Sequence, residues 1–156
     1  MEIRKAIATD GLLLSSLCMD VQTLHAEHHP KFFKMPKNED FAISFFDELL
    51  ANPMICIFIA EEKGQSLGYV ICKLVEHSET PFAFAMRYLV VDHISVRPAA
   101  KGKGIGAALM ERAEALAREL NVERIHLNSW AFNTDAHSFF EKMGFEKFSH
   151  NFWKNM

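Results

Sequence analysis

Cysteine is scarce in this 156-residue chain, and the three present, Cys18, Cys56 and Cys72, are an odd number without the spacing of metal ligands. That argues against a disulfide framework and predicts buried free thiols. Long apolar runs are missing as well. No stretch approaches the roughly 18 to 20 residues that a membrane-crossing helix requires. The opening Met1-Glu2-Ile3-Arg4-Lys5 has no apolar signal core, so the expectation is a cytoplasmic protein with no membrane partner. Excess charge of one sign is also absent: 17 Lys and Arg stand against 20 Asp and Glu, a formal net charge of -3. This disfavours nonspecific binding to nucleic acid and leaves a cationic acceptor open. With 49% hydrophobic and 24% charged residues and no linker or repeat, residues 1–156 suit one globular domain with a sizeable core.

Glycine is scarce too, and its placement is the most informative feature of the chain. Three of the seven glycines fall within Lys101-Gly102-Lys103-Gly104-Ile105-Gly106-Ala107, where a backbone without Cβ can curl around a ligand and turn successive N–H groups toward one point. Before this run lies a strand-like segment, residues 88–96. After it, Ile105, Ala108, Leu109, Ala113, Leu116 and Leu120 recur at helical spacing, with Glu111, Arg112, Arg118 and Glu119 on the other face. Asn121 suits a left-handed stop. The start of such a helix offers unpaired N–H groups and roughly half a positive charge, to which Lys101 and Lys103 add full charges. The segment reads as a pyrophosphate cradle; a tight strand-to-helix turn without a ligand is the plain alternative.

Two familiar phosphate loops do not fit the spacing. A P-loop needs Gly-Lys-Ser/Thr, and Gly102-Lys103 is followed by Gly104. The dinucleotide fingerprint matches at Gly102, Gly104 and Ala107, but five residues separate Val96 from the glycines and no acidic residue closes the next strand.

The remainder of the chain reads as a mixed α/β domain. Residues 2–6 predict a strand, and Asp10 is a candidate cap for a helix with Leu13, Leu14, Leu17, Cys18, Val21 and Leu24 on one stripe. A second helix is expected over 38–50. Strands are expected over 54–60 and 67–75, paired antiparallel, and then over 86–96, 124–129 and 145–153, with a helix over 134–143.

The pattern Val96-x-Pro98-x-x-Lys101-Gly102-x-Gly104-Ile105-Gly106-x-x-Leu109 resembles the acetyl-CoA-binding segment of the GCN5-related N-acetyltransferases (GNAT). Asn133-x-x-Ala136-x-x-Phe139-Phe140-x-Lys142-x-Gly144-Phe145 resembles the second signature of that superfamily, and the order of elements agrees along the whole chain. The resemblance implies a mostly antiparallel, twisted sheet whose central strands splay apart, flanked by helices, with acetyl-CoA as cosubstrate and a small-molecule or peptide amine as acceptor. It implies that Lys101, Gly102, Lys103, Gly104, Ile105, Gly106 and Ala107 hold the pyrophosphate. The backbone of Ile94 and Val96 would hold the pantetheine arm, with Ile94 N–H on the thioester oxygen, and Asn133 and Phe140 would lie along the cofactor. Two positions depart from the family. Lys101 stands where Arg or Gln is usual, keeping charge but altering donor geometry, and Phe140 stands where many relatives carry a Tyr proposed to protonate the departing sulfur.

The chemistry needs an uncharged amine, and an alkylamine with a pKa of about 10.4 is almost wholly protonated at neutral pH. A base is therefore useful. Asp92 occupies the strand position where several relatives place a carboxylate; a structural or substrate-orienting role is its alternative. His93 titrates in a better range but faces the opposite side of the strand unless a bulge intervenes. Without a tyrosine, the thiol can leave as thiolate, helped by His137 or water.

His25, His28 and His29 lack the H-E-x-x-H order and a third ligand, so no metal is expected. With Phe32, Phe33 and Met35 they are candidates for the acceptor entrance. Trp130, Phe132, Phe152 and Trp153 are read as core or subunit contacts, the tail offering a surface for a homodimer. The expectation is an N-acetyltransferase using direct transfer; a regulatory domain that binds acyl-CoA with little turnover is the competing class.

Overall fold

A computed structural model describes residues 1–156. The elements run β1 (Glu2–Lys5), α1 (Gly11–His28), α2 (Ile43–Ala51), β2 (Ile55–Glu62), β3 (Gln65–His77), β4 (Met86–Val96), α3 (Ile105–Glu119), β5 (Ile125–Leu127) and α4 (Thr134–Lys142). The five strands form one sheet in sequence order, antiparallel from β1 to β4, with β5 parallel to β4. A parallel neighbour needs a crossover, and α3 supplies it.

Strand alternation divides the core in two. Phe58, Ala60, Val70, Cys72, Leu89 and Val91 face α3, while Ile57, Ile59, Tyr69 and Ile71 face α1 and α2. Each helix presents its apolar stripe to one of these faces: Leu109, Met110 and Ala113 from α3, Leu14 and Leu17 from α1, and Phe46 from α2. The cysteines are free, as the sequence predicts, and burial pushes the Cys72 thiol up to about 12.

Asp10 does not cap α1. Its carboxylate turns back to accept from Ile7 N–H at 2.8 Å and from the Arg4 guanidinium at 2.7 and 3.0 Å. It thereby ties the end of β1 to the start of α1. The second helix starts later than predicted because Ser15 of α1 accepts the Ala42 N–H at 3.0 Å, holding the chain in turns until Ile43.

The predicted strand over 145–153 does not form. Gly144 turns the chain at φ 87°, Phe145 N–H closes onto Phe140 C=O, and Phe148 and Phe152 beyond are about nine-tenths exposed. Without a buried face, nothing pins a register against the three-residue β5.

The Arg4 guanidinium holds the Asp10 carboxylate below its usual range. That contribution to stability is present above the ordinary Asp value of about 3.9 and is lost as pH falls through the lower folded value. Asp10→Ala should cost about 1–3 kcal/mol in urea unfolding at pH 7, by leaving Ile7 N–H and part of the Arg4 charge unpaired. The deficit relative to the parent should shrink toward pH 2.

Candidate active site

The site is built where β4 loses its neighbour. β5 pairs with β4 only at Leu89, Val90 and Val91, and β4 then runs on to Val96 bonded to β3 alone. Between Val91 and His93 the register against β3 slips by one: Cys72 opposes Val91 and Ile71 opposes His93, leaving Asp92 as the extra residue of a bulge. This is the condition under which His93 changes face. It joins Tyr69 on the α1 side, while Ile94 and Val96 pack toward α3.

The hydrogen-bond phase past the bulge follows from one bond. Arg97 N–H donates to Leu67 C=O at 2.8 Å. In an antiparallel ladder bonded and non-bonded pairs alternate, so the N–H groups of Ile94 and Val96 point away from β3, toward the side that β5 has vacated. The two backbone positions expected to hold an extended ligand thus have free donors lining the splay.

At the mouth of the splay the chain turns through Pro98–Ala100 into the glycine run. Gly102 and Gly104 have φ of 75° and 78°, a region disfavoured for side-chain-bearing residues, and open space lies where their Cβ atoms would stand. The first α3 hydrogen bond is Ala108 N–H to Gly104 C=O, which leaves the N–H groups of Ile105, Gly106 and Ala107 outside the helical ladder. No carboxylate lies in that first turn, and Lys101 and Lys103 are exposed beside it. The arrangement suits an anion. Gly106 has a second reason to be glycine: a Cβ there would meet the Phe139 ring at 3.3 Å, so its absence lets α3 and α4 approach.

Asn133 accepts Ala136 N–H at 3.3 Å and caps α4. Phe140 is 8% exposed and packs in the core under α3, near Phe145. His137 Nε2–H donates to Trp130 C=O at 3.0 Å.

Over the α1 side of the splay, rings from α1 and its following loop meet rings from the β5–α4 connection. His28 stacks on Phe132 at 4.2 Å, His25 on Phe33 at 5.0 Å, and Trp130 meets Phe33 edge-on at 5.0 Å. Trp153 reaches His29 at 5.7 Å, whereas Phe152 projects outward. Among His, Cys, Asp and Glu, no group of three is placed to hold a metal. No helix is long and apolar enough to cross a membrane.

Asp92 is exposed at the bulge, and His93 is recessed beside it. The group that sequence reasoning missed is Tyr69, whose fully buried hydroxyl shares a 2.5 Å hydrogen bond with His93 Nδ1. A lone tyrosine inside an apolar strand carries no motif; only the β3–β4 register brings it to His93.

The sequence pattern of the acetyltransferase (GNAT) family matches residues 20–145, spanning the bulge, the cradle and α4. The chain belongs to the GNAT family. Among curated relatives, the N-alpha-acetyltransferase MAK3 of Arabidopsis thaliana is 31% identical over 60% of this chain and 45% of its own length. This chain therefore matches less than half of that protein. The N-acetyltransferase YhfO of Bacillus subtilis is 25% identical over 94% of this chain and 91% of its own. A solved structure of a tetramutant of the BH1408 protein of Bacillus halodurans superposes with a TM-score of 0.93 over the full length of both chains at 20% identity. An aminoglycoside N-acetyltransferase solved with CoA superposes at 0.72, covering 99% of this chain and 93% of that one at 16% identity. This GNAT protein is an N-acetyltransferase, of a family that moves acyl groups from acyl-CoA to amines.

Desolvation, followed by repulsion from His25, pushes His93 down to about 4, and burial lowers His25 as well. Both folded values lie below the unfolded reference of about 6.5, so the unfolded chain binds more protons below that pH. Stability should be full above about pH 6.5 and fall as the pH drops toward 4. Thermal midpoints across this range should decline less steeply in His93→Gln than in the parent.

Proposed function

We propose that this protein transfers an acetyl group from acetyl-CoA directly to a primary amine within a ternary complex. The observation that carries the proposal is the continuity of two surfaces: the glycine cradle at the start of α3, and the free Ile94 and Val96 donors in the splay that runs from it. In this reading the pyrophosphate sits on the N–H groups of residues 102–107 with Lys101 and Lys103 alongside. The pantetheine arm takes the place of a strand beside β4, and Asn133 borders it. Ile94 N–H donates to the thioester oxygen and keeps donating as that oxygen becomes an oxyanion.

The amine enters from the side roofed by His25, Phe33, Trp130 and Phe132. Its nitrogen attacks the thioester carbon, the new C–N bond forms, and the C–S bond breaks to release CoA as thiolate. The proton lost from nitrogen passes to Asp92, directly or through water, and onward to solvent. Phe140 has no hydroxyl and lies in the core, so the thiolate leaves without a tyrosine acid; its low basicity relative to an alkoxide permits this. The relatives' names extend to protein N-terminal amines and aminoglycosides, and either class of amine is compatible with a site reached past an aromatic rim. The exposed Phe152 and Trp153 of the tail offer the contact surface for a homodimer in the cytoplasm, which light scattering on the purified chain tests.

Thiol release from acetyl-CoA, measured against a panel of amines and N-terminal peptides with calorimetry on the same sample, checks this reading. Amine-dependent release is expected; tight CoA binding without release from any amine would turn the assignment to a sensor. Gly104→Asp, which puts a strained, negative side chain on the cradle, should weaken CoA binding by about 100-fold or more. Asp92→Asn should lower kcat by about 100-fold while leaving acetyl-CoA affinity nearly unchanged.

A further inference from the structure

The bulge turns His93 into a small polar pocket inside an otherwise apolar layer. Tyr69 Oη of β3 lies 2.5 Å from its Nδ1, and the Cys18 thiol of α1 borders the same hydroxyl. From α1 the His25 ring approaches to 6.4 Å, with His28 and His29 next to it, and Asp92 is the neighbour along β4. Tyr69 is 0% exposed. Its hydroxyl proton must therefore be given to a protein group, because a buried donor without a partner is costly. Two groups are in reach. A bare imidazole nitrogen is a strong acceptor and a thiol sulfur a weak one, so the proton goes to Nδ1, and the Cys18 S–H can point at the phenolic oxygen in turn.

A neutral imidazole has one N–H and one lone pair. Occupying the Nδ1 lone pair from β3 puts the ring's own hydrogen on Nε2. We propose that Tyr69 holds His93 as the neutral Nε2–H tautomer, so that His93 serves the transfer site as a hydrogen-bond donor and leaves the role of base to Asp92. The tautomer stands on Tyr69, His93 and Cys18 alone; only the consequence for transfer rests on the function proposed above. A general base needs a free lone pair toward the reacting amine, and in this tautomer His93 has none. Burial works in the same direction, since the low His93 value keeps the ring uncharged wherever an amine is reactive. A neutral imidazole donor can orient the acceptor or steady developing negative charge; it cannot take the amine's proton. Tyr69 is then a positioning residue, acting through the ring it fixes.

Long-range proton–nitrogen correlation NMR on the full chain at pH 7 tests the assignment, with the His93 signals identified by their loss in His93→Gln. The expected spectrum has a protonated Nε2 and a bare, hydrogen-bonded Nδ1, and in Tyr69→Phe the two tautomers should mix. A protonated Nδ1 with bare Nε2 in the parent, or an imidazolium, would overturn the proposal. This readout needs no turnover, so it separates failure here from failure of the transferase reading, which would appear as no CoA release with any amine. In turnover, His93→Gln keeps an N–H donor near the Nε2 position and should stay within about fivefold of the parent kcat, whereas His93→Ala should lose about 100-fold. Equal losses in the two variants would mean that His93 acts as the base and would sink the idea. Tyr69→Phe should lower kcat by about tenfold with the KM for acetyl-CoA unchanged, a split that loose packing alone does not produce.

Discussion

One extra residue in β4 organises the site. With Asp92 inserted opposite no partner in β3, the strand changes phase between Val91 and His93, and four consequences follow from that single step. The carboxylate of Asp92 is left at an exposed turn of the strand. His93 is carried to the α1 side to meet Tyr69. The donors of Ile94 and Val96 keep facing the β5 side after β5 has ended at Leu127. The strand also runs on where its parallel neighbour ends, and a sheet edge inside the molecule is left with unpaired N–H groups. Such an edge is normally a liability. Here the unpaired donors of Ile94 and Val96 line the gap that opens beyond Leu127.

Electrostatics divide the two ends of the splay. At the α3 end the field is positive, made by fixed peptide dipoles, Lys101 and Lys103, with no carboxylate in the first turn of α3. That end suits an anion. At the α1 end the surroundings are apolar and aromatic, His25 and His93 are held toward neutrality by burial, and the carboxylate beside His93 is Asp92. The two core layers beneath explain why the ends stay apart: residues facing α3 and residues facing α1 alternate along each strand, so the sheet itself is the partition.

The glycines illustrate how one residue type meets separate demands within a few positions. Gly104 needs a left-handed backbone to start α3, whereas Gly106 needs the absence of a side chain against Phe139. A motif that looks uniform on paper thus joins a left-handed turn to a helix–helix contact. The second signature is similar in this respect, because Asn133 caps α4 while Phe140 fills the core beside Phe145.

Much of this was legible in the residues alone. The spacing of apolar positions in α3, the left-handed Asn121 at φ 53°, the span of β4 and the glycine turn between strand and helix depend on local chemistry, which a short stretch of chain carries with it. What the sequence could not state was phase and partnership. The bulge at Asp92 exists only in the pairing of β4 with β3, and the strand expected over 145–153 is absent because the short β5 gives it no ladder to join. Asp10 binds Arg4 instead of capping α1, and Tyr69 and His93, 24 residues apart, become one hydrogen-bonded unit. Each of these is fixed by which backbone lies opposite which. Propensity is a property of neighbours along the chain; register is decided by the burial of whole faces at once, and so by the tertiary structure.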